Sequence, residues 1–131
     1  MIILPPLQTD FYKTSHPAQN PKGTTLIYSN LTARSSRIEG LNHVVFFGLQ
    51  YYIKEYLIDQ WNEHFFNKRK SDILRLYKSI LEPAVGPTNL DHIVDLHDLG
   101  YLPIHIKALK EGTLVPIGVP LLTIQNTHEN F

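Results

Sequence analysis

From residue 49 onward, apolar and aromatic side chains recur every three or four positions. Leu49, Tyr52, Ile53, Tyr56, Leu57, Trp61 and Phe65 make one wide stripe, with Lys54, Glu55, Asp59 and Glu63 largely off it. That period predicts an amphipathic helix whose aromatic stripe is core. Lys68, Arg69 and Lys70 end it and complement its dipole. Ser71 is placed to cap a second helix, burying Ile73, Leu74, Tyr77, Ile80 and Leu81, with Pro83 to stop it. Thr88 is placed to cap a third, carrying Leu90, Ile93, Val94 and Leu96 up to Gly100, the expected left-handed terminator.

The two ends of the chain follow a different period. Residues 24–32 alternate and are rich in β-branched and aromatic types, which predicts a strand, and residues 43–47 form a second short apolar run. Residues 102–108, 114–117 and 120–124 read as three further strands, separated by Glu111-Gly112 and by Gly118. The expected fold class is therefore α+β. About three helices pack with short antiparallel strands that form a small sheet or a hammerhead-like partial barrel. This rhythm is similar to that of biotinyl and lipoyl carriers, but no lysine occupies an exposed hairpin tip flanked as in those carriers. The 131 residues fit one domain with one core: an N-terminal arm and strands over 1–47, a helical segment over 48–100 and a β-rich segment over 101–131.

Composition narrows the functional classes. Lys plus Arg equals Asp plus Glu at 12 each, so no overall field recommends nucleic acid or an anionic membrane as partner, and any anion site must be local. Cysteine is absent, which removes disulfides, thiolate nucleophiles and cysteine-ligated zinc. The start lacks a basic segment followed by a long apolar run, so neither a signal peptide nor a membrane span is expected and cytoplasm is the default. Residues 127–131 come directly after a strand-like run, with no charged or low-complexity tail, as expected of a piece of a longer chain.

The chemistry concentrates in residues 7–16. The lead Ile2-Ile3-Leu4-Pro5-Pro6 can anchor a strand or extended arm but cannot carry a helix through two prolines. After it, Thr9 or Asp10 can cap a short helical turn that ends before Pro17. Asp10, Lys13 and His16 stand three residues apart along one face, with Tyr12 pointing elsewhere. From spacing alone this is a capped turn with a core tyrosine and solvated charges. In residues 33–37, Arg34, Arg37, Ser35 and Ser36 supply guanidiniums and hydroxyls suited to gripping a phosphate, although two loop arginines are more often solvated. Asp91, Asp95 and Asp98 share a helix face near His92 and His97, but the histidines are five apart and match no metal-ligand motif, so a solvated acidic face is expected.

Thr9-Asp10-Phe11-Tyr12-Lys13 resembles the opening T-D-x-Y-K signature of nicotinate and nicotinamide phosphoribosyltransferases. Four further blocks stand in the order seen in the nicotinamide-using branch: Ser15-His16; Tyr28-Ser29 with Arg34; Val45-Phe46-Phe47-Gly48-Leu49-Gln50-Tyr51; and the run from Leu102 through Glu111-Gly112, Pro116 and Gly118 to Gln125-Asn126-Thr127. The chain departs from that branch at Phe11, where a small residue is usual, and at Asn30-Leu31-Thr32, where an aromatic-acidic pair is usual.

The resemblance implies the N-terminal part of a longer enzyme whose α/β barrel, holding the catalytic histidine, lies outside these residues. Such enzymes join nicotinamide to phosphoribosyl pyrophosphate with magnesium, giving nicotinamide mononucleotide and pyrophosphate for NAD salvage. They act as homodimers in which this part completes the partner's site. By match of motif, Tyr12 stacks on nicotinamide in the partner subunit's site, Asp10 orients that ring and Arg34 reaches substrate phosphates. No catalytic residue and no metal ligand is implied within this chain. The alternatives are a nicotinate-specific enzyme of the same family and a non-catalytic hammerhead-like binding module.

Overall fold

A computed structural model describes residues 4–131, so Ile2 and Ile3 of the apolar lead lie outside the described residues. The chain divides into two compact units. One comprises Met1–Gly23 and Tyr52–Leu102, and the other Thr24–Tyr51 and Pro103–Phe131. Their apolar residues gather in two clusters rather than in the one core that length suggests.

The first unit is helical. Leu4 is buried, and Pro5–Leu7 turns as a short 3-10 helix. The prolines are tolerated because they fall at its first positions, where an N–H would have no partner. A second 3-10 turn, Phe11–Ser15, runs into a four-residue helix α1, His16–Gln19.

The long predicted helix begins as α2, Leu49–Tyr52, and continues in this unit with π-helical winding over Ile53–Asp59 and Asn62–Phe66. This winding aligns residues five apart. Lys54 accordingly pairs with Asp59, and Gln60 Nε2 donates to Glu55 Oε1 at 3.4 Å. The aromatic stripe is buried only in part: Phe65 is fully buried and Trp61 packs beside it, but Tyr52 is 51% exposed.

Helix α3, Lys70–Val85, buries Ile73, Tyr77 and Leu81, while Ile80 is 46% exposed. Ser71 makes no cap, because the helix starts two residues earlier than a Ser71 cap would place it, with Arg69 at the N-cap position, and Pro83 lies inside the helix instead of stopping it. The helix ends three residues later at Gly86. Helix α4, Asp91–Leu99, contributes Ile93 to the cluster. Thr88 does not cap it; its hydroxyl donates to the Gly86 carbonyl, and Asn89 Oδ1 accepts the Asp91 N–H at 2.7 Å. Gly100 terminates α4 at φ 80°, ψ 7°, the left-handed conformation expected from the sequence.

The second unit holds five strands: β1 Tyr28–Thr32, β2 His43–Val45, β3 Ile104–Ala108, β4 Leu114–Pro116 and β5 Pro120–Asn126. They form an antiparallel three-stranded sheet in the order β1-β5-β3 and a two-stranded sheet β2-β4. The described residues thus form a small α+β assembly of four α-helices and short antiparallel strands, and these strands do not close a barrel. Phe46, Val115 and Leu122 are the buried centre of this second unit, with Val44, Leu49, Ile106, Leu121 and Ile124 packed around them.

Residues 24–27, expected to be strand, lie outside the ladder, and the Asn126 side chain ties Thr25 and Ile27. Asn126 Oδ1 accepts the Ile27 N–H at 2.8 Å and its Nδ2 donates to the Thr25 carbonyl at 2.9 Å. The side chain supplies the hydrogen bonds that a ladder would have supplied.

Candidate functional site

The signature turn is anchored from its N-terminal side. Leu4 is 2% exposed in the helical cluster, Leu7 packs against that cluster, and Gln8 Nε2 donates to Gln60 Oε1 at 3.0 Å. Beyond this anchorage the chain turns outward and presents Tyr12 with 64% of its surface exposed. The tyrosine is therefore not a core residue, contrary to the expectation from spacing.

Asp10 occupies the N-cap position of the Phe11–Ser15 turn, but its side chain makes no cap hydrogen bond. Its carbonyl accepts the Lys13 N–H at 2.9 Å, and its carboxylate pairs with Lys13 Nζ at 3.3 Å. With three residues per 3-10 turn, positions 10 and 13 eclipse, which favours the ion pair over the cap. His16 does not continue that row. Its ring lies against Tyr12, centroids 5.6 Å apart and planes tilted by 58°. The i, i+4 spacing was the available signal for this contact.

Arg34 belongs to the other unit, two residues beyond β1. The β1-β5 register shifts between Leu31 and Thr32, where Leu31 faces Leu122 but Thr32 faces Pro120. Such an irregularity bends the strand and re-aims the residues just after it. The Ala33 carbonyl then accepts the Gly118 N–H at 2.8 Å, tying the approach to Arg34 to the turn before β5. On its far side Ser36 Oγ accepts from the Ile38 N–H and donates to the Ile38 carbonyl, both at 2.9 Å. Arg34 is exposed between these two fixed points, and among the described residues no carboxylate pairs with it. A guanidinium displayed without an internal counter-ion keeps its donors for an incoming anion.

Asp10 and Tyr12 are thus brought onto one turn, whereas Arg34 stands on a separate unit. The acidic face of α4 is solvent-exposed at Asp91, Asp95 and Asp98, and Asp98 pairs with Lys70 at 2.6 Å. Burial depresses the pKa of His92, with Asp91 and Asp95 opposing the shift, and burial raises that of the Tyr77 phenol. Among the described residues, no group of three or more His, Asp or Glu side chains is arranged to hold a metal ion.

Sequence reasoning did not find Glu111 as a partner of the helix at Leu49–Tyr52, although both lie in blocks that carry the resemblance. Glu111 Oε1 accepts the Gln50 N–H at 2.9 Å.

Residues 5–106 match the family model of the nicotinamide phosphoribosyltransferase N-terminal domain. This chain belongs to that family. It is 46% identical over 129 residues to a nicotinamide phosphoribosyltransferase of Acinetobacter baylyi, covering 93% of this chain and 26% of that protein. A nicotinamide phosphoribosyltransferase of Xanthomonas campestris pv. campestris is 35% identical over 123 residues, covering 92% of this chain and 24% of that protein. The chain therefore spans about a quarter of the length of these relatives. Its fold is shared with a crystal structure of human nicotinic acid phosphoribosyltransferase, at a TM-score of 0.58 and 22% identity over 92% of this chain and 22% of that one. Among the described residues no helix is long and apolar enough to cross a membrane.

Proposed function

We propose that this chain is the N-terminal part of an enzyme that transfers phosphoribosyl from phosphoribosyl pyrophosphate to nicotinamide, making nicotinamide mononucleotide and pyrophosphate for NAD salvage in the cytoplasm. The observation that carries the reading is Tyr12, an exposed ring on a turn whose root is buried. A flat ring so presented suits a flat heteroaromatic base, and a stacked pair contributes about 1 kcal/mol beyond area burial. Asp10 stands beside it as an orienting group. Arg34 supplies permanent charge to substrate phosphates and stabilises the negative charge that grows as pyrophosphate departs.

In this reading the turn serves the partner subunit's site in a homodimer, and the catalytic histidine belongs to a barrel outside these residues. Magnesium would accompany the pyrophosphate of the co-substrate, and no residue of this chain is assigned to hold it. The chain by itself is expected to show no turnover. A nicotinate-specific enzyme is the neighbouring reading, since the shared fold includes a protein named for nicotinic acid.

The test uses the full-length enzyme, with product formed from nicotinamide or nicotinate followed in parallel. Tyr12→Ala is expected to raise KM for nicotinamide about fivefold, the equivalent of one stacking contact. Arg34→Ala is expected to lower kcat/KM for phosphoribosyl pyrophosphate. Unchanged kinetics in both variants would overturn the assigned roles, and preferential use of nicotinate would overturn the choice of base.

A further inference from the structure

The turn that presents Tyr12 is only five residues long, too short to persist on its own hydrogen bonds. Several side chains brace it. Thr14 Oγ1 donates to the Phe11 carbonyl at 2.7 Å, and Ser15 Oγ donates to the Tyr12 carbonyl at 2.7 Å. The same Ser15 oxygen accepts from Gln19 Nε2 at 2.7 Å, linking the turn to helix α1. These bonds fix the Tyr12 backbone but leave its ring free to rotate about χ1. The tilted contact with the His16 imidazole at 5.6 Å constrains the ring itself.

We propose that His16 is a positioning residue that acts through Tyr12, holding the phenol ring in the orientation in which it meets the base before the base arrives. The proposal rests on the assignment of Tyr12 as the ring-stacking residue. Immobilising an exposed aromatic side chain only when ligand binds would weaken binding, and a ring already held by a neighbour avoids that loss. His16 stands four residues beyond Tyr12, where the 3-10 turn passes into helix α1, and that junction brings the two rings together. The imidazole needs no contact with substrate in this role.

A double-mutant cycle in the full-length enzyme tests the inference, with steady-state KM and kcat for each substrate. His16→Ala is expected to raise KM for nicotinamide about three- to tenfold, with KM for phosphoribosyl pyrophosphate and the melting temperature little changed. In the Tyr12→Ala background the same substitution is expected to add nothing, because its effect passes through the ring that has been removed. His16→Phe, which keeps a ring at the same spacing, is expected to restore most of the lost affinity. If Tyr12→Ala is impaired while His16→Ala matches wild type or its effect is fully additive, the positioning role is overturned and the stacking role of Tyr12 stands. If Tyr12→Ala is itself unimpaired, the stacking assignment and the inference built on it both fall. A loss with His16→Ala that spreads equally to both substrates and is not recovered by His16→Phe would also overturn the proposal.

Discussion

The carboxylate of Glu111 caps the helix that starts at Leu49: its Oε1 accepts the Gln50 N–H at 2.9 Å across 61 residues of sequence. A helix start leaves several N–H groups without partners and carries partial positive charge, so an incoming carboxylate satisfies both needs. The cap is held in place by the backbone beside it. The Phe46 carbonyl accepts the Gly112 N–H at 2.7 Å, and the Phe46 N–H donates to the Thr113 carbonyl at 2.9 Å. Glu111→Ala should therefore destabilise the protein by about 1 kcal/mol, the usual scale of a lost cap, with Glu111→Gln losing less. Urea unfolding of the three proteins reads the difference.

Phe65 is the most deeply buried ring of the helical unit, in edge contact with Trp61 at 5.2 Å and with Phe66 at 5.1 Å. Phe65→Ala should cost about 3–5 kcal/mol, because lost apolar transfer adds to the cavity left behind. Phe65→Leu should cost markedly less. Chemical denaturation midpoints at constant m-value would separate the two.

Gly100 has open space where a side chain would go, yet its φ of 80° lies in the left-handed region. Gly100→Ala should accordingly destabilise by roughly 1–2 kcal/mol through backbone strain alone. Gly100→Asn should be milder, since asparagine tolerates that conformation. A thermal melt of each variant decides whether strain, not crowding, governs the site.

His92 is half-buried, lies 6.5 Å from the Tyr77 ring and has its pKa lowered from 6.5 by burial, with Asp91 and Asp95 raising it in part. The unfolded chain binds this proton more readily than the folded one. The contribution of His92 to stability is therefore intact above pH 6.5 and declines as pH falls below it. His92→Gln should reduce the slope of stability against pH between about pH 7.5 and about pH 5. A slope unchanged by the substitution would show that other groups control this window.

Arg34 tests charge against geometry in the proposed phosphate role. Arg34→Lys keeps the charge but loses the planar fork, and should recover only part of the phosphoribosyl pyrophosphate affinity lost in Arg34→Ala. Full recovery by lysine would mean that a point charge suffices. The comparison is made by KM for that substrate in the full-length enzyme.

The amino-acid sequence by itself determined the element types and most of their order. Helices over Lys70–Val85 and Asp91–Leu99, the glycine that ends the latter, and the strands from Ile104 onward all arise from local period and turn chemistry. The block pattern also located the turn holding Asp10 and Tyr12 and the loop holding Arg34. Tertiary structure decided what local period cannot express. Within the aromatic stripe Phe65 is fully buried while Tyr52 is exposed, because burial is set by what packs against each position and not by helical period alone. A buried root at Leu4 and Leu7 made Tyr12 an outward ring instead of a core one, and the 3-10 turn exchanged a cap at Asp10 for an ion pair with Lys13. The hydrogen bonds of Glu111 to Gln50 and of Asn126 to Ile27 span 61 and 99 residues. Contacts of that range depend on how the chain returns to itself, which neither hydrophobic spacing nor residue propensity encodes.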